Sequence, residues 1–217
     1  MPPVHKTKSD LARGHVQELI LSGTLRPGTR LTTRQLSEAL GMSETPIREA
    51  IRLLAAEGWL TLSPHQGVVV ASIDTGQIAE IYAIRGALEA LAVRRGAALY
   101  SVAQLEALDR NLHEADSAVQ QRDVTAYARL NREFHALLSD TPNTQWTLRL
   151  LDNLWAQTAA AGRGFEAVPE RIVASLGEHR AIRAAIAGGD PELAATLLIE
   201  HERTAGAALA AALRGQG

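Results

Sequence analysis

Residues 31–51 read LTTRQLSEALGMSETPIREAI, and their pattern indicates how the first third of the chain folds. Leu36 and Leu40 are four residues apart, as on one face of a short helix, and Gly41 can adopt the left-handed conformation that ends it. Ser43 is a favoured N-cap for a second helix with an apolar face. Two helices joined by so short a turn are typical of a helix-turn-helix.

A helix before this stretch and a hairpin after it extend the pattern. Apolar residues recur with helical spacing over residues 9–22. After Gly58 the pattern becomes extended, with strand-like residues 59–62 and 68–70 on either side of a turn at 63–67. Three helices followed by a two-stranded hairpin predict a winged helix-turn-helix.

The rest of the chain predicts helices only. Alanine and leucine are abundant there, and glycine and proline are confined to a few breaks. The predicted helices span residues 75–100, 102–121, 124–139, 143–161, 168–188 and 191–213. We therefore expect a mainly α protein with a winged helix-turn-helix over residues 1–72 and an all-α antiparallel helical bundle over residues 73–217.

The amino-acid composition excludes several classes of protein function. The 217 residues contain no cysteine, which excludes disulfides, thiolate metal sites and a cysteine nucleophile. The longest apolar stretches are too short to cross a bilayer and the first residues lack the apolar core of a signal peptide, so we expect a cytoplasmic protein without a membrane partner. The net charge is −2, but residues 1–72 hold eight basic and six acidic side chains, which permits a nucleic-acid partner.

Polar residues 43–49 stand at the start of the predicted third helix. In a helix-turn-helix this turn enters the major groove, where free backbone amides, hydroxyls and an arginine one turn later can reach phosphates and base edges. Arg48 occupies that arginine position, and Arg34 begins the preceding helix. His65 and Gly67, at the predicted wing, can approach the minor groove. The pattern predicts double-stranded DNA as the partner.

Three histidines and one asparagine of the helical region can converge. Asn131 and His135 are four residues apart and share a helix face. His179 and His201 lie at similar distances from the turn between their two helices, so on antiparallel helices they stand at similar height. Imidazole nitrogens and an amide oxygen can hold a divalent metal ion, with zinc or nickel as the favoured candidates.

Other interpretations remain open at this point. Three histidines with an open coordination position also describe the catalytic zinc of a hydrolase or lyase, although no general base is evident beside them. Arg85 lies on an otherwise apolar stripe and needs an anionic partner, which is either an internal glutamate or a bound carboxylate effector. A metal-free pocket that holds an acid through Arg85 and the histidines is a third alternative.

Residues 31–51, together with Glu57-Gly58-Trp59-Leu60 and the wing at 64–67, closely resemble the GntR family of bacterial transcription factors. The helical region resembles the FCD ligand-binding domain of the FadR-like subfamily, in its shorter VanR-type form with six helices. The residues that carry this second resemblance are Arg85 to Glu89, Asn131, Phe134, His135, Glu178, His179, Ile182 and His201.

The resemblance implies a homodimeric regulator rather than an enzyme, more often a repressor than an activator, that binds a short palindrome and responds to a small organic acid. The family's DNA-contact positions correspond to Arg34, Ser43, Thr45, Arg48, His65 and Gly67, and its metal ligands correspond to Asn131, His135, His179 and His201. Two residues depart from the family pattern. Glu44 replaces an arginine in the DNA-contact region, where it repels phosphate but can accept a hydrogen bond from cytosine. Asn131 replaces an aspartate, and a neutral amide holds a cation less strongly.

Overall fold

The structure is a computed structural model that describes residues 7–21, 24–63, 67–72, 75–160 and 164–214. The chain divides into two compact units. The first unit comprises residues 1–73 with residues 155–162, and the second comprises residues 74–154 with residues 163–217. These units are defined by packing alone, so the functional domains 1–72 and 73–217 stay predictions.

The helices of the first unit follow the predicted pattern, with α1 at Lys8–Leu21, α2 at Thr33–Leu40 and α3 at Glu44–Ala56. Thr32 begins α2 with a capping box, since its hydroxyl accepts from the amide of Gln35 and the Gln35 side chain accepts from the amide of Thr32. Gly41 ends α2 with a φ of 62°, as its position predicts. Ser43 takes the N-cap position of α3, but its side chain makes no capping hydrogen bond.

A small antiparallel sheet completes the first unit, with β1 at Arg30–Leu31, β2 at Leu60–Ser63 and β3 at Gly67–Val70. The strand order is β1-β3-β2, and Val69 of β3 lies opposite Thr61 on one side and Arg30 on the other. The hairpin of β2 and β3 confirms the prediction. The sequence does not predict β1, because a strand of two residues has no alternation to detect. Residues 64–66 of the expected wing lie outside the described residues.

The apolar faces of α1, α2, α3 and the sheet pack into one core. Its buried residues include Val16, Ile20, Leu36, Ile47, Ile51, Leu54, Trp59, Leu60 and Val70. Because α3 turns Ile47, Ile51 and Leu54 inward, the polar residues of its first turn are left on the surface.

Helices form the rest of the described chain: α4 Thr75–Gly96, α5 Val102–Gln121, α6 Val124–Ser139, α7 Gln145–Ala160, α8 Gly164–Ala167, α9 Arg171–Ala187 and α10 Pro191–Arg214. The bounds of α5 and α6 match the prediction, because Ser101 and Asp123 cap their first turns. The single-turn α8 is not predicted, and a 3-10 turn at Ala97–Leu99 ends α4 early. Within the described ranges, every helix is too short or too polar to cross a membrane.

The interior of the second unit combines an apolar core with buried ionisable groups. The core is built around α6 and includes Val93, Leu108, Tyr127, Leu130, Phe134, Leu138, Leu176, Ile182 and Leu198. The buried ionisable residues, each at most 3% exposed, are Arg85, Glu89, His135, His179, His201 and Glu202. Since such groups are rarely buried unless they are paired or bind something, this cluster marks a candidate site.

Candidate DNA-binding surface and metal centre

The predicted DNA-contact residues that the structure describes lie on the surface of the first unit. Ser43 and Thr45 are exposed at the first turn of α3, where the backbone N–H groups have no intrahelical partner. The Arg34 side chain on α2 is 82% exposed and forms an ion pair one turn along the same helix. Gly67 begins β3 with a φ of 74°, a conformation that favours glycine. His65 lies outside the described residues.

Arg48, the expected base-reading arginine, binds Glu44 one turn earlier on α3. Its Nη2 lies 2.8 Å from Oε2 of Glu44, and the two side chains are 64% and 46% exposed. An exposed pair of this kind contributes only about 0.3–0.5 kcal/mol, so Arg48 can change partners readily. Glu44 therefore lowers the local positive charge and occupies the Arg48 side chain.

Three imidazoles meet inside the second unit: His135 on α6, His179 on α9 and His201 on α10. The Nε2 atoms of His179 and His201 are 3.3 Å apart. The ring centroid of His135 lies 5.1 Å from each of the other two. One ring nitrogen from each histidine lies within 4.8 Å of the other two. The structure therefore brings together the three histidines that the sequence singles out.

Glu178 orients His201. Its Oε2 accepts a hydrogen bond from Nδ1 of His201 at 2.6 Å, and Arg171 donates two hydrogen bonds to the same carboxylate. Burial alone would raise the pKa of Glu178, but the hydrogen bonds from His201 and Arg171 lower it to about 2. Because an ionised carboxylate can only accept, Nδ1 of His201 carries a proton, and Nε2 is the ring atom that faces His179.

Glu89 on α4 holds His135 in a similar way. Its Oε2 lies 2.7 Å from Nδ1 of His135, which makes Nε2 the ring atom that can bind a metal. Burial, together with the neighbouring His201, lowers the pKa of both His135 and His179 well below the ordinary value. The two rings are therefore neutral near pH 7, which is the form of imidazole that binds metal.

Arg85 forms a buried ion pair with Glu202 of α10. The Nη2 and Oε1 atoms are 2.7 Å apart, and each side chain is 1% exposed. The guanidinium also stacks on the ring of Tyr82, 4.5 Å from its centroid. Of the two partners expected for Arg85, the structure supplies the internal glutamate. Contact of Arg85 with an effector carboxylate stays a prediction and would require displacement of Glu202.

Asn131 lies one helical turn before His135 on α6 and is 6% exposed. Its Oδ1 has no hydrogen-bond partner in the described part of the chain. A buried acceptor left without a partner costs about 1–3 kcal/mol, and a cation beside it would remove that cost.

These residues fit a divalent metal ion. Two nitrogens that bind one ion at about 2.1 Å lie about 3.0–3.4 Å apart, for octahedral or tetrahedral angles. The 3.3 Å between Nε2 of His179 and Nε2 of His201 falls in that range. The ligand set is neutral, and the carboxylates of Glu89 and Glu178 supply negative charge directly behind two of the rings.

The sequence alone does not reveal the groups behind the histidines. Glu202 and Arg171 look like ordinary surface residues of helices, and Glu178 is marked only by the family resemblance. For Glu89 the resemblance is joined by a physical signal, because Glu89 follows Arg85 by four residues and so lies as a second charge on the same inward stripe.

A winged helix-turn-helix whose third helix exposes its polar first turn defines a DNA-binding protein as the class. Residues 9–70 match "Bacterial regulatory proteins, gntR family", and residues 80–204 match the FCD domain. The chain belongs to the GntR family of bacterial transcriptional regulators and carries an FCD domain. This confirms the predicted family, and it sets aside the hydrolase or lyase alternative, because the family consists of regulators and not of enzymes.

Relatives support this assignment. The transcriptional regulator McbR of Escherichia coli K12 is 32% identical over 158 residues, which cover 72% of this chain and 70% of McbR. The regulator YdhC of Bacillus subtilis is 34% identical over 140 residues, 64% of this chain and 62% of YdhC. The match with YdhC thus spans less than two thirds of that protein.

Solved structures agree with the fold. The structure of E. coli McbR (YncC) has a TM-score of 0.80 and 25% identity, and the alignment covers 97% of this chain and 99% of that one. A GntR transcriptional regulator from Rhodococcus sp. RHA1 has a TM-score of 0.75 at 24% identity, covering 93% and 97%. The predicted combination of a winged helix-turn-helix with an all-α domain is confirmed.

Proposed function

We propose that this protein is a repressor whose affinity for its operator is controlled by a small organic acid, bound beside a divalent metal ion in the helical domain. The observation that carries the proposal is the convergence of three buried imidazoles, with 3.3 Å between Nε2 of His179 and Nε2 of His201. The repressor RspR of E. coli K12 is 30% identical over 132 residues, 61% of this chain and 58% of RspR. A DNA operator as partner implies a cytoplasmic protein.

Operator recognition rests on the first turn of α3, the start of α2 and the wing. The proposed contact residues are Arg34, Ser43, Glu44, Thr45, Arg48, His65 and Gly67. Residues 1–72 carry only eight basic and six acidic side chains, so affinity depends on a few placed contacts rather than on a broad basic surface. A homodimer doubles these contacts and reads two half-sites about one helical turn apart.

The proposed metal ligands are Asn131, His135, His179 and His201, with zinc or nickel as the ion. A bound ion would supply an open Lewis-acid position for the carboxylate of the effector. Glu89 and Glu178 fix the orientation of the rings of His135 and His201, and Arg171 fixes Glu178. The apolar core around α6 keeps water away from this polar cluster.

The effector changes operator affinity by preferring one arrangement of the two DNA-binding domains. In a dimer, a small reorientation moves one recognition helix out of register with its groove. An acid that favours the displaced arrangement therefore releases the operator.

Selection of an operator from random duplex DNA by the full-length protein tests the DNA-binding function. Fluorescence anisotropy with metal-loaded protein then measures release by a panel of small organic acids. We expect an enriched inverted repeat, and we expect at least one acid to weaken binding about tenfold, a typical allosteric coupling. If the protein enriches no sequence, the proposed function is wrong.

Two matched variants test whether the response to the acid depends on the metal. His135→Ala removes a proposed ligand, whereas His113→Ala removes an exposed histidine of α5. We expect His135→Ala to bind the operator without responding to the acid, and His113→Ala to keep both properties. A full response of His135→Ala, or of chelator-treated protein, would show that the effector site works without metal.

A further inference from the structure

The outer face of α4 carries an apolar stripe that no other part of the described chain covers. Ile84 and Leu91 are 41% and 45% exposed, and Ala87 between them is also exposed. The stripe ends in exposed charges, Glu80 on one side and Arg95 on the other. We call these five residues the α4 seam. Their spacing of three or four residues keeps them on one side of the helix.

α10 packs against α4. It runs antiparallel to α4, because Arg85 binds Glu202 while the later Arg94 binds the earlier Glu192. Ile199 follows Glu192 by two turns, so it lies on the same side of α10, and it is 43% exposed. Since α10 packs on the side of α4 that carries Gly86, it leaves Ile84 and Leu91 exposed, and exposed apolar side chains that share one helix face mark an interaction site.

We propose that the α4 seam is the interface between two copies of this chain, with the two α4 helices antiparallel about a two-fold axis between Ala87 and Leu88. The inference rests on the proposed function, because a palindromic operator requires a dimer. Its new content is the surface through which the two copies bind. With this axis, Ile84 of each copy lies opposite Leu91 of the other.

The charges of the α4 seam are complementary to those of a second copy of the chain. Glu80 and Arg95 have the same midpoint as Ile84 and Leu91, so the two-fold axis also places Glu80 of each copy opposite Arg95 of the other, about 11 Å from the axis. Among the described residues, neither Glu80 nor Arg95 forms an ion pair. A parallel arrangement would instead oppose Glu80 to Glu80 and Arg95 to Arg95, which is unfavourable.

Crosslinking tests the position of the axis. The chain has no cysteine, so Ala87→Cys introduces a single thiol per copy, placed next to the thiol of the other copy. Mild oxidation of the full-length protein is expected to give a covalent dimer on a non-reducing gel. Val173→Cys is the control, because Val173 is 68% exposed on α9, away from the α4 seam. Equal crosslinking of the two variants, or none with Ala87→Cys, would overturn the proposal.

Charge reversal tests the pairing in solution by sedimentation equilibrium. Glu80→Arg and Arg95→Glu are each expected to weaken the dimer about tenfold or more, since both create two like-charge contacts. The double variant restores opposite charges and is expected to dimerise like the wild type. A dimer that neither single reversal weakens would contradict the α4 seam.

Operator binding, measured in parallel, keeps the two proposals apart. A wild-type protein that binds its operator while Ala87→Cys fails to crosslink counts against the α4 seam alone. A protein that crosslinks as expected but enriches no operator counts against the proposed function alone.

Discussion

The two candidate sites place their charged residues in opposite environments. On the first unit, the side chains of Arg34 and Arg48 are 82% and 64% exposed and form local ion pairs worth a fraction of a kcal/mol. In the second unit, Arg85 and Glu202 are each 1% exposed and depend on one another. The exposed arginines can change partners at little cost, as reading DNA requires. The buried groups are fixed by their partners, as a preorganised binding site requires.

The largest effect is expected from breaking the buried pair. Arg85→Ala leaves the Glu202 carboxylate buried without its partner, and the free energy of unfolding should fall by about 3–5 kcal/mol. Urea denaturation followed by circular dichroism measures the change. Arg203→Ala, which removes an exposed arginine of α10 that pairs with Glu200, is the control and should change stability by less than about 0.5 kcal/mol. Similar values for the two variants would contradict a buried, structurally required pair.

Operator binding should depend strongly on Arg48. Arg48→Ala removes the proposed contact to a base edge or phosphate, and we expect the operator affinity to fall about 10- to 100-fold by fluorescence anisotropy. Arg129→Ala is a close control, because that side chain is 62% exposed and also forms an i,i+4 ion pair, but on α6. An Arg48→Ala protein that binds as tightly as Arg129→Ala would remove Arg48 from the DNA-binding surface.

A smaller effect is expected from Glu178, which orients one of the proposed metal ligands, His201. Glu178→Gln keeps the shape of the side chain but removes the charge that orients His201, so metal affinity should fall about tenfold. Competition with a chromophoric chelator measures it. Glu133→Gln changes an exposed glutamate of α6 and should leave the affinity unchanged. If both variants bind metal like the wild type, Glu178 has no role in positioning the ligand.

The smallest effect concerns Glu44. Glu44→Gln removes the competitor for Arg48, and the operator affinity should rise about twofold, the value of one exposed ion pair. Glu49→Gln, which releases Arg52 on the same helix, is the control. A tenfold loss with Glu44→Gln, together with a changed selected sequence, would mean that Glu44 itself reads a base.

The sequence predicts the winged helix well because its signals are local. The capping residues, the left-handed Gly41 and the change of period after Gly58 each act within a few residues. The same holds for α5 and α6, whose caps fix their bounds. The strand β1 is missed because two residues form it only by pairing with β3.

The candidate metal centre is only partly predictable. The positions of His179 and His201 follow from helix rise and the turn between α9 and α10, since the geometry of two antiparallel helices is regular. The supporting Glu89 and Glu202 come from α4 and α10, and their burial is set by how distant helices pack. A glutamate on a helix is usually solvated, so the sequence pattern does not distinguish Glu202 from its exposed neighbours, and it marks Glu89 only through the resemblance and its spacing from Arg85.

The metal content of full-length protein, purified without a histidine tag from metal-replete cells, shows whether the three histidines hold an ion as proposed. Inductively coupled plasma mass spectrometry should find about one zinc or nickel ion per chain in the wild type and in His113→Ala, and almost none in His179→Ala. A wild-type protein that binds its operator but contains no stoichiometric metal would contradict the account.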